Sequence, residues 1–192
     1  MGTRDIPKKV TEGELYRALL GLNARTQTAA FEAAKFLYDK AAPELEAHLI
    51  HILKNGRRPF NRAAAAYVMQ MVTTKKTFAA LERTVGDEAE SPRVRGEAAE
   101  ALAHSHRRKS HDVLLRNLND KSKDVRFWCA FALGQMAERR AVPILLRLAD
   151  SDKRPVRGFH SVSQEARDAI RNIEIENKEH RRKHGCVFCK PL

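Results

Sequence analysis

The sequence predicts an all-α protein, an α-solenoid of about five helix pairs, from one repeated motif and from its composition. In the motif, apolar or small residues occupy positions i, i+4, i+7 and i+8, with copies starting at residues 29, 60, 94, 125 and 162. The spacings between these starts, 31, 34, 31 and 37 residues, lie in the range of proteins built from stacked repeats. The composition agrees, because 9 glycines, 7 prolines and 6% aromatic residues in a chain of 192 are typical of helical proteins.

Each repeat is predicted to be a pair of helices. The spacing of the motif places its apolar residues on one face of a helix, and a second apolar stretch precedes each copy. Pro43 and Pro143 suit the first turn of a helix, and Asp124 is placed to cap the helix that follows it. Insertions at 86–91 and 153–160 account for the longer spacings. The predicted pairs are 12–22/26–39, 43–54/59–72, 75–85/93–105, 109–119/124–137 and 141–149/162–182.

Hydropathy and cysteine content narrow the class of protein. No apolar run approaches the ~18 residues that cross a bilayer, and residues 1–9 lack the apolar core of a signal peptide. Three cysteines, an odd number, do not indicate a disulfide framework. We therefore expect a cytoplasmic protein without a membrane span.

The charge of the chain is strongly positive and evenly spread. The net charge is +12, of which residues 1–96 contribute +5 and residues 97–192 contribute +7. An extended basic surface attracts phosphates, anionic membranes or an acidic protein. The same charge is also compatible with a solubilising surface that has no specific partner.

The motif resembles a known repeat. The segment 120–134, which runs from Asp120 through Val125 and Arg126 to Gly134, is similar to the "Asp-x-x-Val-Arg-x-x-Ala-x-x-Ala-Leu-Gly" signature of compact HEAT repeats, including those of phycobilin lyases. The similarity extends over nearly the whole chain and is sharpest over 92–170. It implies a right-handed superhelix whose concave surface is lined by the second helix of each pair. We accordingly expect a HEAT-like array over 1–175, followed by a basic tail over 176–192.

Three aromatic residues interrupt the repeat pattern in the fourth pair. Phe127, Trp128 and Phe131 occupy positions that hold polar or small residues in the neighbouring copies of the motif. An apolar cluster at exposed positions of an array indicates a binding site, and these residues are the candidate anchors. Alternatively, the rings pack against the preceding repeat or under the 153–160 loop, since large aromatic side chains are often buried.

Basic residues recur near the start of successive second helices, namely Arg58, Arg62, Arg93, Arg95, Lys123 and Arg126. Cations there oppose the helix dipole at a cost of roughly 0.3–1 kcal/mol each, so a repeated cost suggests a use. The HEAT resemblance implies that Arg95 and Arg126 are structural and pair with an aspartate of the preceding turn, such as Asp120. The other four, together with Lys153, Arg154 and Arg157, are candidate ligands for an acidic partner or for phosphates.

The C-terminal tail contains a group of metal-ligating residue types, His180, His184, Cys186 and Cys189. Two histidines four apart share a helix face, and Cys-x-x-Cys is a usable zinc half-site. A basic tail without metal is the alternative interpretation. Apart from this zinc, no cofactor is expected.

The sequence favours a non-enzymatic scaffold that binds a macromolecule, a protein partner in the first instance, on the concave face of the array. It contains neither a Gly-rich phosphate loop nor a Gly-x-Ser-x-Gly motif. The first alternative is sequence-independent nucleic-acid binding through the basic residues. The second, a lyase or chaperone-like role similar to that of phycobilin lyases, is implied by the fold resemblance alone.

Overall fold

The computed structural model describes residues 45–105 and 107–184, and within these ranges the chain is a succession of helices. Residues 45–55 form α1, and short 3₁₀ turns are present at Leu102–His104 and Arg139–Ala141. The remaining helices are α2 (Pro59–Met69), α3 (Lys75–Gly86), α4 (Pro92–Ala101), α5 (Arg108–Asn117), α6 (Lys123–Gln135), α7 (Val142–Ser151) and α8 (Val162–His184). The four predicted pairs from residue 43 onward are therefore confirmed, whereas the pair 12–22/26–39 lies outside the described residues.

The helices stack as an α-solenoid. Helices α3, α5 and α7 each pack on the second helix that follows, and the second helices α2, α4, α6 and α8 pack extensively on one another in sequence order. The first helices contact one another less closely, so the second helices form the more tightly packed layer of the array. A continuous core of leucine, valine and alanine runs between the two layers.

Local chemistry explains where four of the eight described helices begin. Proline occupies the first turn of α2, α4 and α7, as expected for Pro143, because the missing N–H has no partner there in any case. Thr74 forms a capping box at α3. Ser91 accepts a hydrogen bond from the amide of Val94 at α4. The expectation that Asp124 caps α6 is wrong: α6 begins two residues earlier, with Ser122 at the cap position and Asp124 inside the first turn.

Helix α2, in the first described pair, has a different register from the one that the motif predicts. Phe60 and Tyr67, assigned to the core by the motif, are only half-buried, whereas Asn61 is buried. Pro59 starts α2 as Pro92 starts α4, so the true offset between these helices is one residue shorter than the motif indicates. The alanines that follow fit a core face in either register, so the apolar pattern could not reveal the difference.

Arginine–carboxylate pairs connect successive repeats. In each pair an arginine near the start of a second helix reaches an acidic residue in the loop of the following repeat, as in Arg62–Glu90, Arg95–Asp120 and Arg126–Asp152. The same guanidinium groups also donate to backbone carbonyls, of Gly56, Val85 and Asp120 respectively. The structural role expected for Arg95 and Arg126 is thus confirmed, but the acids belong to the following repeat and not to the preceding turn.

Glycine permits the closest approach between second helices. A Cβ placed on Gly134 of α6 would lie 2.7 Å from the Cα of Ala169 and 2.8 Å from its Cβ, well inside van der Waals contact. Any side chain at position 134 therefore has to push α6 and α8 apart.

Candidate binding surface on the second helices

The predicted aromatic patch divides into a buried ring and rings that reach the surface. Phe127 is only 2% exposed, so the expectation of an exposed anchor at this position is wrong. The 153–160 loop covers it, with the rings of Phe159 and His160 at 5.4 and 5.3 Å from the Phe127 ring. Trp128 and Phe131 are half-buried at the edge of the core, and Phe159 is 46% exposed. The aromatic rings that reach the surface are therefore those of Trp128, Phe131 and Phe159. We call these three residues the aromatic patch.

Trp128 connects the members of the aromatic patch. Its ring centroid lies 5.6 Å from that of Phe131 and 5.1 Å from that of Phe159, edge-to-face in both cases. Such edge-to-face pairs are favourable because the positive edge of one ring meets the negative face of the other. On its other side the indole rests on Gly96 of α4, where a Cβ would come within 2.7 Å of the ring. The indole is therefore held from two sides by neighbouring elements.

Sequence reasoning missed Phe159 as a member of the patch. The sequence predicts basic ligand candidates in the 153–160 loop and, as an alternative, that the loop covers the aromatic rings, but it does not show that a ring of the loop itself joins the patch. Three contacts hold it in place: Val156 is buried, its amide donates to the carbonyl of His160, and the Lys123 ammonium donates to the carbonyl of Pro155 at 2.6 Å. The sequence signal that pointed to this loop was the insertion that lengthens the spacing between the last two copies of the motif to 37 residues.

Two glutamates lie beside the aromatic patch on α4. The 31-residue repeat offset places Glu97 level with Trp128 and Glu100 level with Phe131 on the packed helices α4 and α6. Burial raises the pKa of Glu97 to about 7, with Arg93 lowering it in opposition. Burial also raises the pKa of Glu100 to about 7, and the charge of Glu97 adds to this effect. These carboxyls were recognised in the sequence only as ordinary polar residues of the repeat.

The face continues onto α2 through Tyr67 and Phe60. Burial raises the pKa of the Tyr67 phenol, and the nearby carboxylates of Glu100 and Glu97 raise it further. Phe60 lies under Arg93, whose guanidinium carbon is 5.2 Å from the centre of the ring. The second helices thus present aromatic and acidic side chains in the middle of a basic protein, and we call this group the strip: Phe60, Tyr67, Glu97, Glu100, Trp128 and Phe131.

The basic residues predicted as ligands do not form one continuous ridge. Arg62 is occupied by Glu90 and Gly56, and Lys123 by the loop carbonyl, so the expectation that these two cations face a partner is wrong. The positions left exposed are Arg58 and Arg93 at the starts of α2 and α4, and Lys153, Arg154 and Arg157 in the loop. For Arg62 the cause is the acidic residue Glu90 of the following repeat, and for Lys123 it is the backbone of the 153–160 loop.

A carboxylate–imidazole pair closes the loop against α8. His160 Nε2 and a carboxylate oxygen of Glu165 are 2.8 Å apart. Burial raises the pKa of Glu165, although the hydrogen bond and charge of His160 oppose that shift. The pair fastens the loop that carries Phe159 to the first turn of the last helix.

The predicted zinc ligands remain a prediction. His180 and His184 lie in the last turns of α8, four residues apart, while Cys186 and Cys189 fall outside the described residues. Among the side chains that the structure describes, which do not include those of His180 and His184, no group of three histidine, cysteine or acidic residues is arranged to hold a metal ion. Cys129 is fully buried, and this burial raises the pKa of its thiol far above the ordinary value, which makes the thiol unreactive.

Comparison with known families agrees with this architecture. The family model for HEAT repeats matches residues 87–159, from the loop before α4 to Phe159. Residues 87–159 of the chain belong to the HEAT-repeat family. This span contains Glu97, Glu100 and the whole aromatic patch. A comparison with curated proteins finds no match. In the described part of the chain, no helix is both long and apolar enough to cross a membrane.

Proposed function

We propose that this HEAT-repeat protein is a non-enzymatic scaffold that binds a protein partner on the inner face of its second helices, with the aromatic patch as the anchor. The observation that carries the proposal is that Phe159 is 46% exposed while it packs edge-to-face on a half-buried tryptophan. Aromatic side chains in this position, partly exposed on a rigid base, are the residue types that dominate protein interfaces.

The base of the aromatic patch supports this role. The ring of Phe127 fills the space beneath Trp128 and Phe159, and Gly96 supports the indole from the adjacent helix. Side chains already held in one arrangement lose little conformational freedom when a partner docks, which favours affinity. The aromatic patch also lies on the side where consecutive repeats pack most closely, so a partner can contact several repeats at once.

The proposal is tested with paired alanine variants. Phe159→Ala and Phe131→Ala remove exposed rings of the aromatic patch, and Leu146→Ala is the matched control because Leu146 is 52% exposed on α7, a first helix. A protein retained from a lysate of the source cells by the wild type and by Leu146→Ala, but lost with both aromatic variants, supports the proposal. Equal retention by all four proteins contradicts it.

Trp128→Ala is a less specific test. Because the indole also packs on Gly96 and Phe127, its removal lowers stability together with binding. The thermal midpoint therefore has to be measured beside the binding of this variant. The unchanged tryptophan, in contrast, is a useful reporter, since it is the sole tryptophan of the chain.

Sequence-independent nucleic-acid binding is the second candidate, and it is supported by three exposed cations, Lys153, Arg154 and Arg157, that share one loop. A net charge of +12 would steer a polyanion toward them. Fluorescence anisotropy with labelled duplex DNA, single-stranded DNA and RNA tests this candidate between about 50 and 200 mM salt, where binding to several phosphates weakens steeply. Absence of binding at the lowest salt concentration contradicts it.

A further inference from the structure

The two glutamates beside the aromatic patch differ from the other buried acids around them. Glu90, Asp120 and Glu165 are each paired with an arginine or a histidine. Glu97 and Glu100 have neither a hydrogen-bond nor an ion-pair partner among the residues that the structure describes. Two half-buried carboxyls without a counter-ion are costly to ionise, and a ligand cation would remove that cost.

The groups that face these carboxyls come from three helices. Arg93 lies one turn before Glu97 on α4, but its guanidinium is over the ring of Phe60 and forms no ion pair with Glu97. Tyr67 approaches from α2, and its phenol responds to both carboxylates. On the third side, α6 contributes aromatic rings that carry no charge. Among the described residues, Arg93 lowers the pKa of Glu97 through its charge, but burial outweighs this effect, and no basic side chain acts in the same way on Glu100.

The rings that border the carboxyls suit a cation as well. Trp128 is level with Glu97, and Phe131 is level with Glu100, on two helices that pack directly together. A guanidinium or ammonium group attracts both a carboxylate and the face of an aromatic ring, with tryptophan the best of the rings. An acidic or phosphate group would be repelled by the same pair of carboxylates.

We propose that this strip binds an arginine or lysine side chain of the partner, held between the carboxylates of Glu97 and Glu100 and the rings of Trp128 and Phe131. The proposal rests on the proposed scaffold function and specifies the chemistry of the partner. It reverses, at this place, the expectation of an acidic partner that the net charge suggests. Elsewhere the protein is basic, so a cationic segment is attracted to this strip by local contacts and not by the overall field.

The experiment uses the full chain and labelled peptides of defined charge. Fluorescein-labelled hexaarginine, hexalysine and hexaglutamate are titrated with the protein at about 150 mM salt, where charges more than about 8 Å apart are screened. The test variant is Glu97→Gln with Glu100→Gln. The control is Glu88→Gln with Asp150→Asn, which changes the net charge equally at two exposed positions away from the second helices. Trp128 fluorescence provides a second readout.

Binding of a cationic peptide that weakens about tenfold or more in the test variant, and is retained in the control, supports the proposal. No binding of either cationic peptide, an equal loss in both variants, or a preference for hexaglutamate overturns it. The thermal midpoint of each variant checks that the array is folded.

The capture assay with Phe131→Ala and Phe159→Ala separates this proposal from the scaffold function. One outcome would overturn the cation site alone: the captured partner is lost with Phe131→Ala and Phe159→Ala but retained by Glu97→Gln with Glu100→Gln, and the cationic peptides do not bind. The scaffold function would then stand. If the capture is also insensitive to the rings, both proposals are wrong.

Discussion

Replacing Arg95 by methionine should destabilise the array more than any other change in its arginine pairs. Arg95 is 1% exposed, and its guanidinium donates to the Val85 carbonyl at 3.0 Å, to Asn117 at 2.7 Å and to Asp120 at 2.6 Å. Methionine keeps much of the apolar stem but removes all three donors. The Asp120 carboxylate then loses its counter-ion and keeps, among the described residues, only the amide of Ser122 as a donor, and the Val85 carbonyl loses its guanidinium donor, which together cost about 3–5 kcal/mol. That is a large part of the roughly 5–15 kcal/mol that holds a domain folded.

Urea unfolding followed by far-UV circular dichroism and by Trp128 fluorescence measures this effect, because Trp128 lies in the repeat that Arg95 contacts. The more exposed Arg62–Glu90 pair provides the comparison, and Arg62→Met should cost roughly 1–2 kcal/mol. In a double-mutant cycle, Arg95→Met with Asp120→Asn should cost less than the sum of the single changes. A cost below about 1 kcal/mol for Arg95→Met, or strictly additive effects in the cycle, would refute the assigned link between repeats.

Three further predictions follow from burial and close packing. Glu97 and Glu100 have raised pKa values in the folded state, so the folded protein binds more protons than the unfolded chain between about pH 4.5 and 7, and stability falls as pH rises through that window. At about pH 8, Glu97→Gln with Glu100→Gln should therefore raise the free energy of unfolding by on the order of 1–3 kcal/mol, and with it the thermal midpoint. At about pH 4 the same variant should change the thermal midpoint little. An equal effect at both pH values would contradict the assignment. Gly134→Ala should lower stability by about 1–3 kcal/mol in chemical denaturation, because a Cβ there meets the backbone of α8; an unchanged midpoint would show that the helices separate freely. In a variant whose Cys186 and Cys189 are replaced by serine, Cys129 should react with a thiol reagent only after denaturant is added, and rapid labelling of the native protein would place this thiol outside the core.

Much of the fold was predictable because helix formation and repeat stacking depend on local spacing. The apolar period located the described helices to within a few residues, and prolines and capping residues marked several of their starts. The register of α2 was not predictable in the same way. Four consecutive alanines, 63–66, fit a core face in either of two registers, and only the positions of Pro59 and Arg62 in the folded array decide between them.

The candidate site was less predictable, because its members come from different repeats. A break in the repeat pattern drew attention to Trp128 and Phe131, but the same break included Phe127, which the loop buries. Whether an aromatic ring at a variable position is covered depends on a loop more than 25 residues further along the chain. The sequence did not reveal the unpaired carboxyls of Glu97 and Glu100 for a related reason. Whether an acid has a partner depends on all of its neighbours in space, and these come from other repeats.

The sequence by itself determined the helical repeat, the alternation of first and second helices and the family. These features depend on residues a few positions apart, whose relationship is the same in any folded copy of the motif. The tertiary structure decided which cations are neutralised, which aromatic rings reach the surface and which carboxyls remain without a partner. Each of these depends on a contact between repeats, 25 to 28 positions apart for the arginine pairs, and charge or apolar pattern along the chain does not specify such contacts.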